Sequence, residues 1–205
     1  MRAAVADGAS ESLLAGAWAR LLVRTACRYG PAALDAALRH AAEVWSDDVR
    51  EHFADGPVPW WQQEKLRRGA QATMLVVEAG PDDRWGAAAV GDSCVLHCRN
   101  GTILAGFPLS SATDFDVRPD LVVSTAVDAV RPVSIAGRFD RGDQLILVTD
   151  ALAAWAFRLH EEGGSPVPVL LDLTADAERL DDWAAGQQAA GRLRNDDLTL
   201  LVVAL

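Results

Sequence analysis

Apolar runs that stop on an aspartate constrain this chain more than any other feature. Leu145-Ile-Leu-Val148 reads as a buried strand; it ends at Asp150, where an apolar helical stretch over 151–159 begins. Ala3-Ala-Val-Ala6 stops at Asp7-Gly8, and Asn195-Asp196-Asp197 leads into a closing strand over 200–205. A carboxylate at the end of a buried strand is costly unless something positive meets it. Aspartates placed alike at strand ends can converge on one point, and what binds several carboxylates is usually a hard divalent cation.

The chain has 205 residues, half of them apolar, which suffices for one sizeable core and predicts a single domain over 1–205. Its net charge of -10 argues against a nucleic-acid partner, whose phosphates would be repelled. No apolar run is long enough to span a bilayer, and the first residues lack the basic-then-apolar layout of a signal peptide. Cys27, Cys94 and Cys98 lack zinc-site spacing and read as buried thiols in a reducing cytoplasm. The tryptophans are scattered and suit packing, not base stacking.

Taken in order, a strand stub over 1–6 precedes a helix over 10–28, with Ser10 as N-cap and Leu13, Leu14, Trp18, Leu21 and Leu22 at helical spacing. Gly30-Pro31 breaks it, and a second helix over 32–53 follows. A turn at 55–59 leads to a short amphipathic segment over 60–69. The period then becomes strand-like: 72–79, 85–90, 94–99 and 102–107, with hairpin turns at Pro81-Asp-Asp and Asn100-Gly101. A surface loop over 108–119 precedes strands at 121–126 and 130–135. Asp143 belongs to the turn before its strand. A loop over 161–168, a helix over 175–190 and the last strand complete an α+β domain with sheet in the middle.

Ala4-Val-Ala-Asp7-Gly8, Val90-Gly-Asp92-Ser93, Gly142-Asp143-x-Leu-Ile-Leu-Val-Thr-Asp150 and Asn195-Asp196-Asp197-Leu-Thr199 follow one another in the order and spacing of the metal-dependent protein phosphatases of the 2C type. The chain resembles that family over nearly its whole length. Glu64-Lys-Leu-Arg-Arg-Gly-Ala-Gln-Ala-Thr73, Phe107-Pro-Leu-Ser110 and Thr149-Asp-Ala-Leu-Ala153 are similar to its bacterial branch. The resemblance implies a four-layer αββα sandwich, two central antiparallel sheets flanked by helix pairs, with metals at one end. It implies that Asp7 bridges two Mg²⁺ or Mn²⁺ ions, that the Gly8 carbonyl binds one of them, and that Asp150 and Asp196 hold the other. Asp92 would help to hold a weaker third. Two such cations lower the pKa of a bridging water and stabilise charge during in-line phosphoryl transfer. The activity implied is hydrolysis of phosphoserine and phosphothreonine in proteins, with a phosphoprotein substrate and a cognate Ser/Thr kinase as partners.

Four departures accompany the resemblance. The family's first strand, with an acidic pair and in many members a phosphate-binding Arg, has no counterpart before Asp7, which predicts an exposed sheet edge. Arg2 is the only cation near Asp7 in sequence. Ala151 stands where most relatives have Gly, at a cost of about 1 kcal/mol if the position needs a positive φ. Ala154 replaces a second Asp of the third-metal site, and Ala9 a His proposed as general acid in animal members. The absent first strand with its acidic pair, and Ala154, motivate the alternative reading, a phosphatase-fold regulatory or binding module with weak or no catalysis; Ala151 is tolerated in the bacterial branch, whose members often lack the His as well.

Overall fold

The computed structural model describes residues 1–53, 60–116 and 118–205; the turn expected at 55–59 lies outside them. Two antiparallel four-stranded sheets form the middle of the molecule. The first contains β1 (Arg2–Val5), β3 (Met74–Ala79), β4 (Arg84–Val90) and β8 (Val133–Arg138), in the order β1-β3-β4-β8. The second contains β5 (Cys94–Arg99), β6 (Thr102–Phe107), β9 (Gln144–Val148) and β10 (Leu200–Ala204), in the order β10-β9-β5-β6. A ribbon of β2 (Gln71–Ala72) and β7 (Val122–Val123) stands beside them. Among the described residues β1 and β8 are the edge strands of the first sheet, and β10 and β6 those of the second.

The alternation of side chains builds four layers. Leu75, Val77, Ala87 and Ala89 face Val95, Leu145, Leu147 and Val203 across the sheet–sheet interface. Their neighbours Met74, Val76, Ala88 and Val90 face outward, onto α1 (Ala15–Tyr29) and α2 (Leu34–His52). On the other side Cys94, Leu96, Ile146 and Val148 meet α4 (Asp150–Glu161), α5 (Pro166–Leu173) and α6 (Ala177–Ala189). Because the inner strands β3, β4, β5 and β9 are buried on both faces, a one-residue slip would exchange two differently shaped cores, and the register is strongly specified. Trp18, fully buried, packs on Trp45 with ring centroids 5.4 Å apart and donates its indole N–H to the Val122 carbonyl at 3.0 Å. The amphipathic segment after the undescribed turn is α3 (Trp60–Arg68).

Several expectations need correction. Helix α1 begins at Ala15, five residues later than Ser10 suggests; the residue before it, Leu14, has φ 61° and gives no side-chain cap. The preceding turn is held elsewhere: Ala9 N–H donates to the Gln71 carbonyl, and Gln71 N–H donates to Ser12 Oγ. The strand expected over 72–79 breaks at Thr73. The strand over 121–126 shrinks to two residues, and the one over 130–135 lies at Val133–Arg138. Helix α5 occupies part of the loop expected over 161–168; Pro166 opens it, where a missing N–H costs nothing. Among the described residues, α5 thus joins α4 and α6 on the second flank. Asn100 and Gly101 both have positive φ, as a tight type I′ hairpin requires.

Candidate metal centre

Strands β1, β9 and β10 and the β4–β5 turn bring the sequence-predicted acids to one end of the sandwich. Asp7 follows β1, Asp92 lies in the turn between β4 and β5, Asp150 opens α4 directly after β9, and Asp196 precedes β10. All four line one cavity of about 510 Å³ with Gly8. Asp197, next to Asp196, is exposed and donates its N–H to Asp196 Oδ1 at 2.9 Å.

Two hydroxyls that the motif reading passed over set the backbone here. Thr73 Oγ1 accepts the Asp7 N–H at 3.1 Å, while Thr73 N–H donates to the Asp7 carbonyl at 2.8 Å. The same hydroxyl is hydrogen-bonded to Ser93 Oγ at 2.8 Å, and both Thr73 and Ser93 are buried. One threonine thus ties the end of β1 to the turn that carries Asp92. Across the site, Thr149 Oγ1 donates to the Asp197 carbonyl at 3.2 Å and accepts the Thr199 N–H at 3.1 Å, which holds the Asp196 segment beside the end of β9. Gly8 has its own constraint: a Cβ there would meet the backbone of Ala15 at 2.9 Å, so the first turn of α1 admits only glycine.

The carboxylates burden one another. Burial pushes Asp7 up to about 7, with the charges of Asp150, Asp196, Asp197 and Asp92 adding to the effect. Burial and Asp150 raise Asp92 to about 6. Asp150 is raised too, by burial first and by Asp196, with its own helix backbone and Arg194 opposing. Its Oδ1 is buried and has no hydrogen-bond partner. Like charges gathered at strand ends with too little counter-charge favour the neutral acids.

Convergence stops short of a closed cage. Among the described residues, no three His, Cys, Asp or Glu side chains stand close enough together to hold an ion as they are. The donor set nevertheless fits a hard cation: carboxylate oxygens, one of them buried and unpartnered, and neither Cys nor His lining the cavity.

The departures resolve physically. Ala151 lies within α4 and has no positive φ, so no strain attaches to it. Ala154 is buried among α4's apolar contacts. Ala9 lines the acidic cavity and offers no side-chain proton donor. Arg2 is engaged away from the site, pairing with Glu78 at 3.1 Å and donating to the Arg28 carbonyl at 2.8 Å. The cations that line the cavity are instead Arg118 and Arg194, which the sequence reading did not single out.

Four layers of helix, sheet, sheet and helix, with acids at one end, are the fold of the metal-dependent protein phosphatases of the 2C type. Among solved structures, the catalytic domain of the serine/threonine protein phosphatase PstP, in complex with two manganese ions, matches with a TM-score of 0.61 at 18% identity, over 98% of this chain and 86% of its own. PppA of Pseudomonas aeruginosa matches with a TM-score of 0.59 at 21% identity, over 100% of this chain and 86% of its own. A serine/threonine phosphatase of S. agalactiae reaches 0.52 at 16% identity, over 100% of this chain and 87% of its own. At such identities the likeness is one of fold. No protein-family model matches the chain, and the comparison of its sequence with curated proteins found no match.

Proposed function

We propose that this chain, as one domain over 1–205, is a Mg²⁺- or Mn²⁺-dependent protein phosphatase acting on phosphoserine and phosphothreonine. The observation that carries the reading is the gathering of Asp7, Asp92, Asp150 and Asp196, from four separate places in the chain, around a cavity in which Asp150 Oδ1 is buried without a partner. A protein that needed these positions only for folding would be better served by neutral side chains there.

In this reading Asp7, the Gly8 carbonyl, Asp150 and Asp196 hold two divalent cations, and Asp92 supports a weaker third. Bound there, such cations would neutralise charge on the phosphoryl oxygens and lower the pKa of water to make it a nucleophile at neutral pH. Thr73 and Ser93 orient the backbone of Asp7 and of the Asp92 turn, so that the ligands stand on rigid strand ends. Thr149 does the same for the segment before β10. Ala9 supplies no proton, so the alcohol leaving group needs another donor, a role that a metal-bound water would fill. The reading also implies a phosphoprotein substrate, a kinase that makes it, and a cytoplasmic setting, which suits the buried free thiols Cys94 and Cys98. Among the described residues, no helix is long and apolar enough to cross a membrane.

The separation of the acids and the contact of Asp150 with Arg194 favour a second reading, a phosphatase-fold binding module with little or no turnover. Hydrolysis of a phosphothreonine peptide in excess Mn²⁺ separates the two. The enzyme reading expects phosphate release that disappears with EDTA and in Asp150→Asn. A folded protein that releases no phosphate above those controls leaves the binding module.

A further inference from the structure

We propose that a second cavity, of about 300 Å³ beside the metal centre, receives an apolar side chain of the phosphoprotein close to its phosphorylated residue, and so selects which sites are dephosphorylated. The inference rests on the phosphatase reading and names the substrate class within it. The cavity lies at the same end of the sandwich as the acids. It is bounded by the end of β4 and the turn after it, by Pro108 and Leu109 after β6, by Pro119, and by Arg131 and Val133 at the entry to β8. Asp92, Arg118 and Pro119 line both this cavity and the acidic one, so the two are contiguous. An extended peptide advances about 3.3 Å per residue. A near neighbour of a residue held at the acids therefore comes to rest against these walls.

The walls suit an aliphatic group. Val133 pairs with Ala89 in the ladder of β4 and β8, and the two side chains share the face turned toward the second sheet. Ala89 is buried, whereas Val133 is 52% exposed, because β6 ends at Phe107 and the sheets do not close over each other at this corner. Edge strands usually protect themselves with charge, and here an open valine borders a cavity instead. Pro108, Leu109 and Pro119, all half-buried, continue the apolar lining. The charged groups nearby are turned to other tasks. Asp114 Oδ2 accepts the N–H groups of Ser110 and Ser111 at 3.1 and 3.0 Å. Arg131 Nη1 donates to the carbonyls of Asp128 and Val130 at 2.8 and 3.2 Å. Arg118 and Asp120 are exposed and opposite in charge, so the rim favours neither sign. An apolar side chain gains by leaving water here, whereas a charged one would lose hydration without a committed partner. The shape is fixed by the turn itself. Gly91 has φ 97°, and a Cβ there would meet Thr73 at 2.7 Å and the Asp120 carbonyl at 2.9 Å, so Asp120 packs directly on the turn that carries Asp92.

Phosphothreonine peptides with alanine on both sides, and leucine placed at one flanking position at a time, provide the test. As non-hydrolysable phosphonates they bind without turnover, and fluorescence anisotropy in Mn²⁺ reads the affinity. Leucine at one position close to the phosphorylated residue should bind about tenfold tighter than alanine there, and lysine or aspartate no tighter than alanine. In Val133→Ser that ratio should fall to about threefold or less. In Leu104→Ser, which removes an equally open apolar side chain from β6 outside both cavities, it should stay at about tenfold. A ratio below about threefold at every position in the parent overturns the proposal, as does the absence of binding by any of the peptides. So does an unchanged ratio in a folded Val133→Ser, or an equal fall in Leu104→Ser. Hydrolysis of the corresponding phosphate peptides without this selectivity would leave the phosphatase reading standing and remove the cavity's role. Selective binding without hydrolysis would instead remove the phosphatase reading and leave the side-chain site in place.

Discussion

Replacing Asp7 with Asn should stabilise the cation-free protein, against the usual direction of a substitution at a partly buried site. Asp7 titrates near 7 in the fold, raised by burial and by its acidic neighbours, whereas in the unfolded chain it returns to an ordinary ~3.9. The folded state thus holds the proton more tightly. Stability from this group is complete below about pH 4 and is lost as the pH rises through the folded value near 7. At full strength that difference is worth about 4 kcal/mol. Asp7 is only half-buried, and solvent screening brings the expected loss to about 2 kcal/mol. Asn has no proton to lose and avoids the penalty. Urea denaturation in EDTA at pH 8 should therefore show Asp7→Asn more stable by about 2 kcal/mol, and by less than about 1 kcal/mol at pH 5, where the parent is protonated in the fold. Equal destabilisation at both pH values would refute the argument, since it would mean that Asp7 is retained for hydrogen bonds of its ionised form. A carboxylate that costs the fold free energy and remains in place marks a binding site.

Two further outcomes follow from the same electrostatics. Mn²⁺ binding should tighten from pH 6 to pH 8 with release of protons, because Asp7 near 7 and Asp92 near 6 must ionise to act as ligands; calorimetry in buffers of different ionisation enthalpy reads both effects, and a pH-independent affinity without proton release would contradict it. Asp143→Ala should lower the denaturation free energy by about 2 kcal/mol while leaving Mn²⁺ affinity unchanged, because the buried His97 and the Asp140 N–H lose their acceptor at the far end of β9 from Asp150, whereas Arg99 keeps its ion pair with Asp140; coincident loss of metal binding would show that the two ends of the strand are coupled.

Asp143 illustrates what a motif conceals. It reads as a turn residue, yet it is 1% exposed and its carboxylate accepts hydrogen bonds from Arg99 at 2.7 and 2.9 Å and from the Asp140 N–H at 2.9 Å, with His97 Nε2 at 2.8 Å. Arg99 holds its carboxyl well below the usual carboxylate range, with the Asp140 backbone and His97 adding to the effect. His97 lies 46 residues away in the chain, and no local pattern joins the two. Thr73 and Ser93 stand in the motifs without a role for the same reason: a threonine in a strand and a serine in a turn are ordinary until the fold sets their hydroxyls 2.8 Å apart. Helix α5 was hidden by its two prolines, which read as loop until Pro166 is seen to occupy the first helical position.

Local chemistry written along the chain determined the existence of most elements. The continuous apolar run from Met74 to Val77 suits a strand buried on both faces, Asn100-Gly101 demands a tight hairpin, and the aspartates that end apolar runs mark one end of the sandwich. These are properties of a residue and its near neighbours, and they survive in one dimension. Tertiary structure decided where α1 starts, because Ala9 and Ser12 are tied to Gln71 of β2 and hold the chain out of the helix until Ala15. It also decided that Arg194 and not Arg2 faces the acids, since which cation meets a carboxylate depends on distances between segments that the chain order does not specify. How closely Asp7, Asp92, Asp150 and Asp196 approach belongs to the fold as well, because their repulsion grows as their separation falls and is set by the strands that carry them.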